Sequence, residues 1–310
     1  MKSRKRMCMA CASGVLVVSA LLLAAYYLFA PLSLRARVSS ITSAAYIRLF
    51  VEVPRGADAH RFYVNSGYTS PDAYIAHGAG ILDYALTNSV EAVEDSLRGG
   101  FRYIEFDLLT TTDGHLVAAH TWCELRKMAG LPSSDSPMSL QEIRQIAREG
   151  KYTPVTAEDI CRLLEQNKNV FVVTDRVTDY DLLLREIPYP DRLIVEVRGG
   201  INAYERAVRA GVRYPSLSVG NKHMMDIAYM AEIPIISLTD DDYFSTPVGI
   251  ESVKRLHEKG ITILLFNTRG SNYWEKPEFL QQYLGKVFSK IYSNSWGPHH
   301  LPHAYERSKN

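Results

Sequence analysis

The chain has 310 residues, 46% of them hydrophobic and 22% charged, which is enough for one large domain or two small ones with a sizeable core. Its 35 Lys and Arg nearly balance 34 Asp and Glu, for a formal net charge of +1. With no basic stripe and no nucleic-acid motif in the body of the chain, a nucleic-acid-binding role is excluded.

The one basic cluster is terminal. Lys2, Arg4, Lys5 and Arg6 precede Met7–Leu32, which holds no charged residue. A run of about 25 apolar residues is long enough to cross a hydrocarbon core of roughly 30 Å. The positive-inside rule places the basic end in the cytoplasm and the rest of the chain outside it. Tyr26, Tyr27 and Phe29 resemble an interfacial aromatic belt, which favours an uncleaved, single-pass transmembrane helix. Small residues up to Ala30 keep a cleaved signal peptide as the alternative. The expected division is an anchor over 1–35, a connector over 36–70, a folded domain over 71–300 and a polar tail over 301–310. Within the connector, Val38–Val53 reads as a short helix or strand, broken by Pro54-Arg55-Gly56. Cys8 and Cys11 have CxxC spacing but read as small residues beside a membrane helix. Cys123 and Cys161 are either a disulfide of an extracytoplasmic domain or two separate thiols.

From Ala73 onward, apolar runs of strand length alternate with helical segments. The strands are expected at Ala73–Ala76, Tyr103–Leu109, Val170–Thr174, Leu193–Val197, Tyr214–Val219, Ile233–Leu238, Ile261–Phe266 and Val287–Tyr292. The helices are expected at Ser89–Arg98, Leu140–Glu149, Ala157–Gln166, Asp179–Glu186, Asn202–Ala210, Lys222–Ala231, Val248–Lys259 and Pro277–Leu284. Asn88 with Glu91 has capping-box spacing, Thr156 can cap Ala157, and Gly99, Gly150, Gly211, Gly260 and Gly285 sit just past helices. Eight βα units with continuously apolar strands fit an α/β fold of the closed (β/α)8 TIM-barrel type. An open doubly wound sheet would want a glycine-rich phosphate loop after its first strand, and His77-Gly78-Ala79-Gly80 is not one.

In such a barrel the chemistry belongs at the C-terminal ends of the strands. Glu105 and Asp107 are two residues apart in Tyr103-Ile104-Glu105-Phe106-Asp107-Leu108, so they share one strand face while Ile104, Phe106 and Leu108 share the other. Two acids side by side on a mostly buried strand repel each other and need positive charge between them; a divalent cation is the simplest source. Asp175 and Glu196, at or near the ends of the next two strands, compete for a third ligand position. An oxygen-rich set suits Ca²⁺ or Mg²⁺ over Zn²⁺. His77 and His120, at strand ends beside the acids, are candidates for general acid and base. A histidine pair around a metal suits phosphoryl chemistry, with the cation neutralising phosphate charge. Asn88 reads as a helix cap that also faces the mouth, where a helix N-terminus attracts phosphate.

The pattern His77-Gly78, Asn88-Ser89 with Glu91-Ala92, Gly100, Ile104-Glu105-Phe106-Asp107, Thr112-Asp113-Gly114, Val117 and His120 resembles the glycerophosphodiester phosphodiesterase family. That family belongs to the (β/α)8 phosphodiesterase superfamily, which includes phosphatidylinositol-specific phospholipase C. The resemblance implies a phosphoric diester hydrolase with His77 and His120 as acid/base pair and Glu105 and Asp107 as metal ligands. It also implies a third acid, for which Asp175 stands in place, with Arg176 near phosphate; Asn88 and Glu196 complete the expected substrate-binding set. The implied substrate is a glycerophosphodiester or a phospholipid-derived diester. A lyase forming a cyclic phosphate, or a non-catalytic barrel binding phosphorylated envelope material, are the alternatives. The chain departs from the family where His-Arg-Gly becomes His77-Gly78-Ala79, where Glu-Asn-Thr becomes Thr87-Asn88-Ser89, and where the Asp after the second histidine becomes Thr121.

Overall fold

The computed structural model describes residues 31–54, 61–64, 70–149, 151–239, 244, 246–266 and 276–295. In chain order these form α1 (Leu32–Phe50), β1 (Tyr74–Ala76), α2 (Val90–Arg98), β2 (Tyr103–Thr110), β3 (Leu116–Ala118), α3 (Trp122–Met128) and α4 (Leu140–Glu149). There follow α5 (Ala157–Gln166), β4 (Phe171–Asp175), α6 (Tyr180–Glu186), β5 (Leu193–Val197), α7 (Gly200–Arg209), β6 (Tyr214–Ser218) and α8 (Lys222–Ala231). The last elements are β7 (Ile235–Thr239), α9 (Pro247–Glu258), β8 (Thr262–Phe266), α10 (Pro277–Tyr283) and β9 (Lys290–Ser293).

All the strands except β3 pair in parallel in one ring, and β1 pairs with both β9 and β2, which closes the barrel. β3 is antiparallel to the outer end of β2. The period of two sorts the strand side chains. Tyr74, Ile104, Phe106, Val172, Val195 and Ile236 pack outward into the helix-covered core. Ile75, Tyr103, Phe171, Val173, Ile194, Tyr214, Ile235, Leu264 and Tyr292 fill the interior. Continuing the inward rows toward the strand ends brings His77, Glu105, Asp107, Asp175, Glu196 and Arg198 into the upper barrel.

The expected anchor lies outside the described residues apart from 31–35, as does the tail 301–310. Among the described residues, no helix is long and apolar enough to cross a membrane. The stretch read as a short helix or strand is α1, a helix that begins six residues before Val38, at Leu32, with Pro31 as its N-cap. The capping-box reading of Asn88 is corrected. Ser89 is the N-cap of α2, its hydroxyl accepting from the Ala92 N–H, while Glu91 accepts from Thr153. The Asn88 side chain is taken by β2 instead. Thr156 does cap α5, in a reciprocal box with Asp159. Cys123 and Cys161 are separate thiols, near Ser133 Oγ (2.9 Å) and the Glu186 carbonyl (3.3 Å).

The lower end of the barrel is stoppered by a residue from outside the βα series. Phe62 meets Tyr103, Phe171 and Tyr214 edge-on, with centroids 6.2, 5.3 and 4.8 Å away. Arg61 lies over the Phe171 ring at 5.4 Å and donates to the Tyr214 hydroxyl at 3.0 Å. The fully buried Lys290 sits over Tyr103, and burial lowers its ammonium to about 7. Removing the stopper leaves a cavity lined by rings, so Phe62→Ala is expected to cost about 3–5 kcal/mol in denaturant-induced unfolding.

Candidate active site

The site lies at the C-terminal ends of the parallel strands. A cavity of about 690 Å³ opens there, lined by His77, Asp107, His120, Asp175, Arg176 and Arg198 among others. Glu105, Asp107 and Asp175 are buried, and one oxygen from each lies within 4.8 Å of the others. The register explains this, because Asp107 is paired directly with Asp175 across β2 and β4.

Each acid is held by its own partners. Glu105 Oε2 accepts from the Gly78 N–H at 2.7 Å. Asn88 Nδ2 donates to Asp107 Oδ2 at 3.0 Å, and its Oδ1 accepts from the Asp107 N–H at 3.1 Å. Arg176 Nε donates to Asp107 Oδ1 at 3.0 Å, and Arg198 Nη2 pairs with Asp175 Oδ2 at 2.5 Å. The other oxygen of Asp175 is buried with no hydrogen-bond partner among the described residues; Arg176 stands 3.9 Å from it. Burial, with Asp107 and Asp175 alongside, holds the Glu105 carboxyl well above the usual range. Burial and then Asp107 and Glu196 push Asp175 up to about 8, against the pull of Arg198 and Arg176. An all-oxygen trio with an orphaned buried oxygen and mutually repelling charges fits a hard divalent cation.

The two histidines differ in setting. His77 is buried between Phe266 and Tyr292, with ring centroids at 4.9 and 5.6 Å. Burial lowers it to about 4, opposed by Asp107 and Asn294 and reinforced by His120, so the ring is neutral. Its Nδ1 lies 3.0 Å from Asn294 Oδ1, which can only accept. The proton of the neutral ring therefore sits on Nδ1 and Nε2 keeps its lone pair. His120 is at the open rim, with Nδ1 2.8 Å from Glu124 Oε2.

The structure brings His77, His120, Asp107, Asp175 and Arg176 to one cavity. Asn88 lies behind it as the clamp of Asp107, and Glu196 lies beneath, where it accepts from the Tyr292 hydroxyl; neither is among the lining residues. Among the lining residues that went unread in the sequence, Arg198, Glu124 and Asn294 contact the site's own groups. Arg198 is two residues beyond Glu196 and so points the same way one layer higher, a signal available from strand alternation. Glu124 follows Thr121 by three residues, and Thr121 caps α3, so capping-box spacing was present there too. Asn294, past the end of β9, had no pattern to mark it.

The turn after β1 departs most from regular geometry. Gly78, Ala79, Leu82, Leu86 and Asn88 all have φ between +50° and +66°. At Gly78 a Cβ would meet Leu86 Cα at 2.5 Å, so this backbone admits no larger residue where the resembling family has arginine.

Residues 77–194 match the model of the Glycerophosphoryl diester phosphodiesterase family. The matched stretch runs from the turn after β1 into β5 and holds His77, Glu105, Asp107, His120 and Asp175. No curated protein matches the sequence. Among solved structures, a glycerophosphoryl diester phosphodiesterase from Parabacteroides distasonis superposes with a TM-score of 0.60 at 16% identity, over 83% of this chain and 94% of that one. A putative glycerophosphodiester phosphodiesterase from Galdieria sulphuraria gives 0.59 at 17% identity, over 76% and 97%. A phosphodiesterase from Oleispira antarctica, in complex with the product sn-glycerol-3-phosphate, gives 0.57 at 12% identity, over 80% and 99%. At such identities the likeness speaks for the barrel.

The acids make stability depend on pH in the metal-free chain. Between an ordinary value of 3.8 and about 8, the folded state keeps a proton on Asp175 that the unfolded chain has released. Stability is therefore expected to fall as pH rises through that window. Melting temperatures of the metal-free chain across it should show the decline, and Asp175→Asn should flatten it.

Proposed function

We propose that this barrel is a metal-dependent phosphodiester hydrolase acting on a glycerophosphodiester or a phospholipid-derived diester, tethered by Met7–Leu32 with the barrel outside the cytoplasm. The observation that carries the reading is a three-carboxylate cluster within 4.8 Å on a cavity shared by two histidines and two arginines. Glu105, Asp107 and Asp175 would hold the cation, Ca²⁺ or Mg²⁺, which when bound supplies positive charge to the phosphoryl oxygens.

The residues divide the remaining work. Neutral His77, its Nδ1 proton held by Asn294, takes the proton of the attacking water at Nε2. The new P–O bond forms as the bond to the leaving alkoxide breaks. His120, oriented by Glu124, returns a proton to that alkoxide. Arg176 and Arg198 bind the anionic oxygens and offset the charge that grows on them. The phosphomonoester product bound by the Oleispira antarctica relative supports this reading, since a monoester of that kind is what the same step would leave here. If a hydroxyl of the substrate replaced water as nucleophile, the product would be a cyclic phosphate.

The test is hydrolysis of glycerophosphodiesters and lysophospholipids by the full chain with Mg²⁺ or Ca²⁺, followed by phosphorus NMR, which separates monoester from cyclic product. His77→Ala and His120→Ala should each lower kcat by about 10²–10⁴-fold. Chelation should abolish turnover and Arg198→Ala should raise KM. Absence of turnover on every diester with either cation would overturn the proposal.

A further inference from the structure

Helix α1 is apolar on two faces. One is docked: Ser40, Ala44 and Ile47 are buried, Ser40 Oγ lies 2.7 Å from His223 Nδ1, and the Tyr46 hydroxyl donates to Glu205 on α7 at 2.8 Å. The other is turned away from the barrel. Leu34, Val38, Ile41 and Leu49 fall on it at helical spacing, with Ile41 57% and Leu49 73% exposed. A contiguous apolar stripe on the outside of a folded domain needs a covering.

The chain points to what that covering is. α1 carries Arg35, Arg37 and Arg48 and no acidic residue, and it continues directly from the uncharged run Met7–Leu32. Apolar side chains along one outward side of a helix whose only charges are positive suit an interfacial position on anionic lipid. Position adds direction. Ser40 contacts the first turn of α8, and Arg48 pairs at 3.1 Å with Glu232, just past its end, so the two helices run the same way. α8 follows β6, which puts its start at the mouth end of the barrel. From Ser40 back to Leu32, α1 extends about 12 Å further in that direction. The N-terminus of α1 therefore lies at the end where the cavity opens.

We propose that α1 lies on an anionic bilayer surface and holds the mouth at the membrane rim, so that the substrate is a phosphodiester carried by that same bilayer. The substrate half of this rests on the hydrolase reading above; the membrane half does not. To test it, the full chain is reconstituted in vesicles of phosphatidylglycerol and phosphatidylcholine with benzoylphenylalanine in place of Ile41, Leu49 or, on α2 across the barrel, Glu94. Irradiation should yield phospholipid adducts at 41 and 49 and none at 94. Adducts to a second copy of the chain, or none at 41 and 49, would overturn the docking. In the second arm, Ile41→Glu with Leu49→Glu should slow release from a vesicle-borne phosphodiester about tenfold and leave turnover of water-soluble bis(p-nitrophenyl) phosphate unchanged, which also certifies folding. Equal turnover of the vesicle substrate by the native chain and the variant would overturn the substrate half. If the native chain turns over neither substrate, the hydrolase reading fails while the adducts still decide the docking.

Discussion

Four carboxylates, Glu105, Asp107, Asp175 and Glu196, are enclosed in the upper half of one closed barrel. Charges there are poorly screened, and each unpartnered acid costs several kcal/mol. The architecture around them is an answer to that repulsion. Gly78 gives its N–H to Glu105, Asn88 gives its whole amide to Asp107, Tyr292 gives its hydroxyl to Glu196, and Arg176 and Arg198 bring positive charge from the ends of β4 and β5. Several donors are held in backbone conformations that non-glycine residues seldom adopt, Asn88 at φ 50° and Arg176 at φ 63°. The strain is local, and satisfying buried charge is what sustains it.

The same loop fixes which side of the mouth is cationic. With the Leu86 backbone pressed on Gly78, the β1 side offers N–H groups but no cationic side chain at that position. Arginine is supplied instead from β4 and β5, with Lys127 on α3 nearby.

Much of this was legible in the sequence because two periodicities are hard to disguise. Strand alternation sorted Glu105 and Asp107 from Ile104 and Phe106 before any fold was assumed, and the apolar runs placed all the barrel strands to within a few residues. What failed has physical causes. Asn88 has the chemistry of a cap and the spacing of one, but a nearby buried carboxylate competed for its amide and Ser89 took the helix end. Glu196 and Arg198 share a face, and alternation gives the face without the depth; depth depends on the stagger of the closed barrel. Phe62 came from a connector with no repeating pattern, so nothing tied it to the barrel floor.

One contact joins the beginning of the barrel to its end. Asn294 fixes the proton of His77 through its side chain and accepts the Leu82 N–H through its carbonyl. The His77 ring is therefore oriented by a residue made more than two hundred positions later. The contact forms only when the last strand closes the circle, and until then the imidazole has no fixed tautomer. A chain that stops short of the end of β9 therefore lacks the contact that fixes this imidazole.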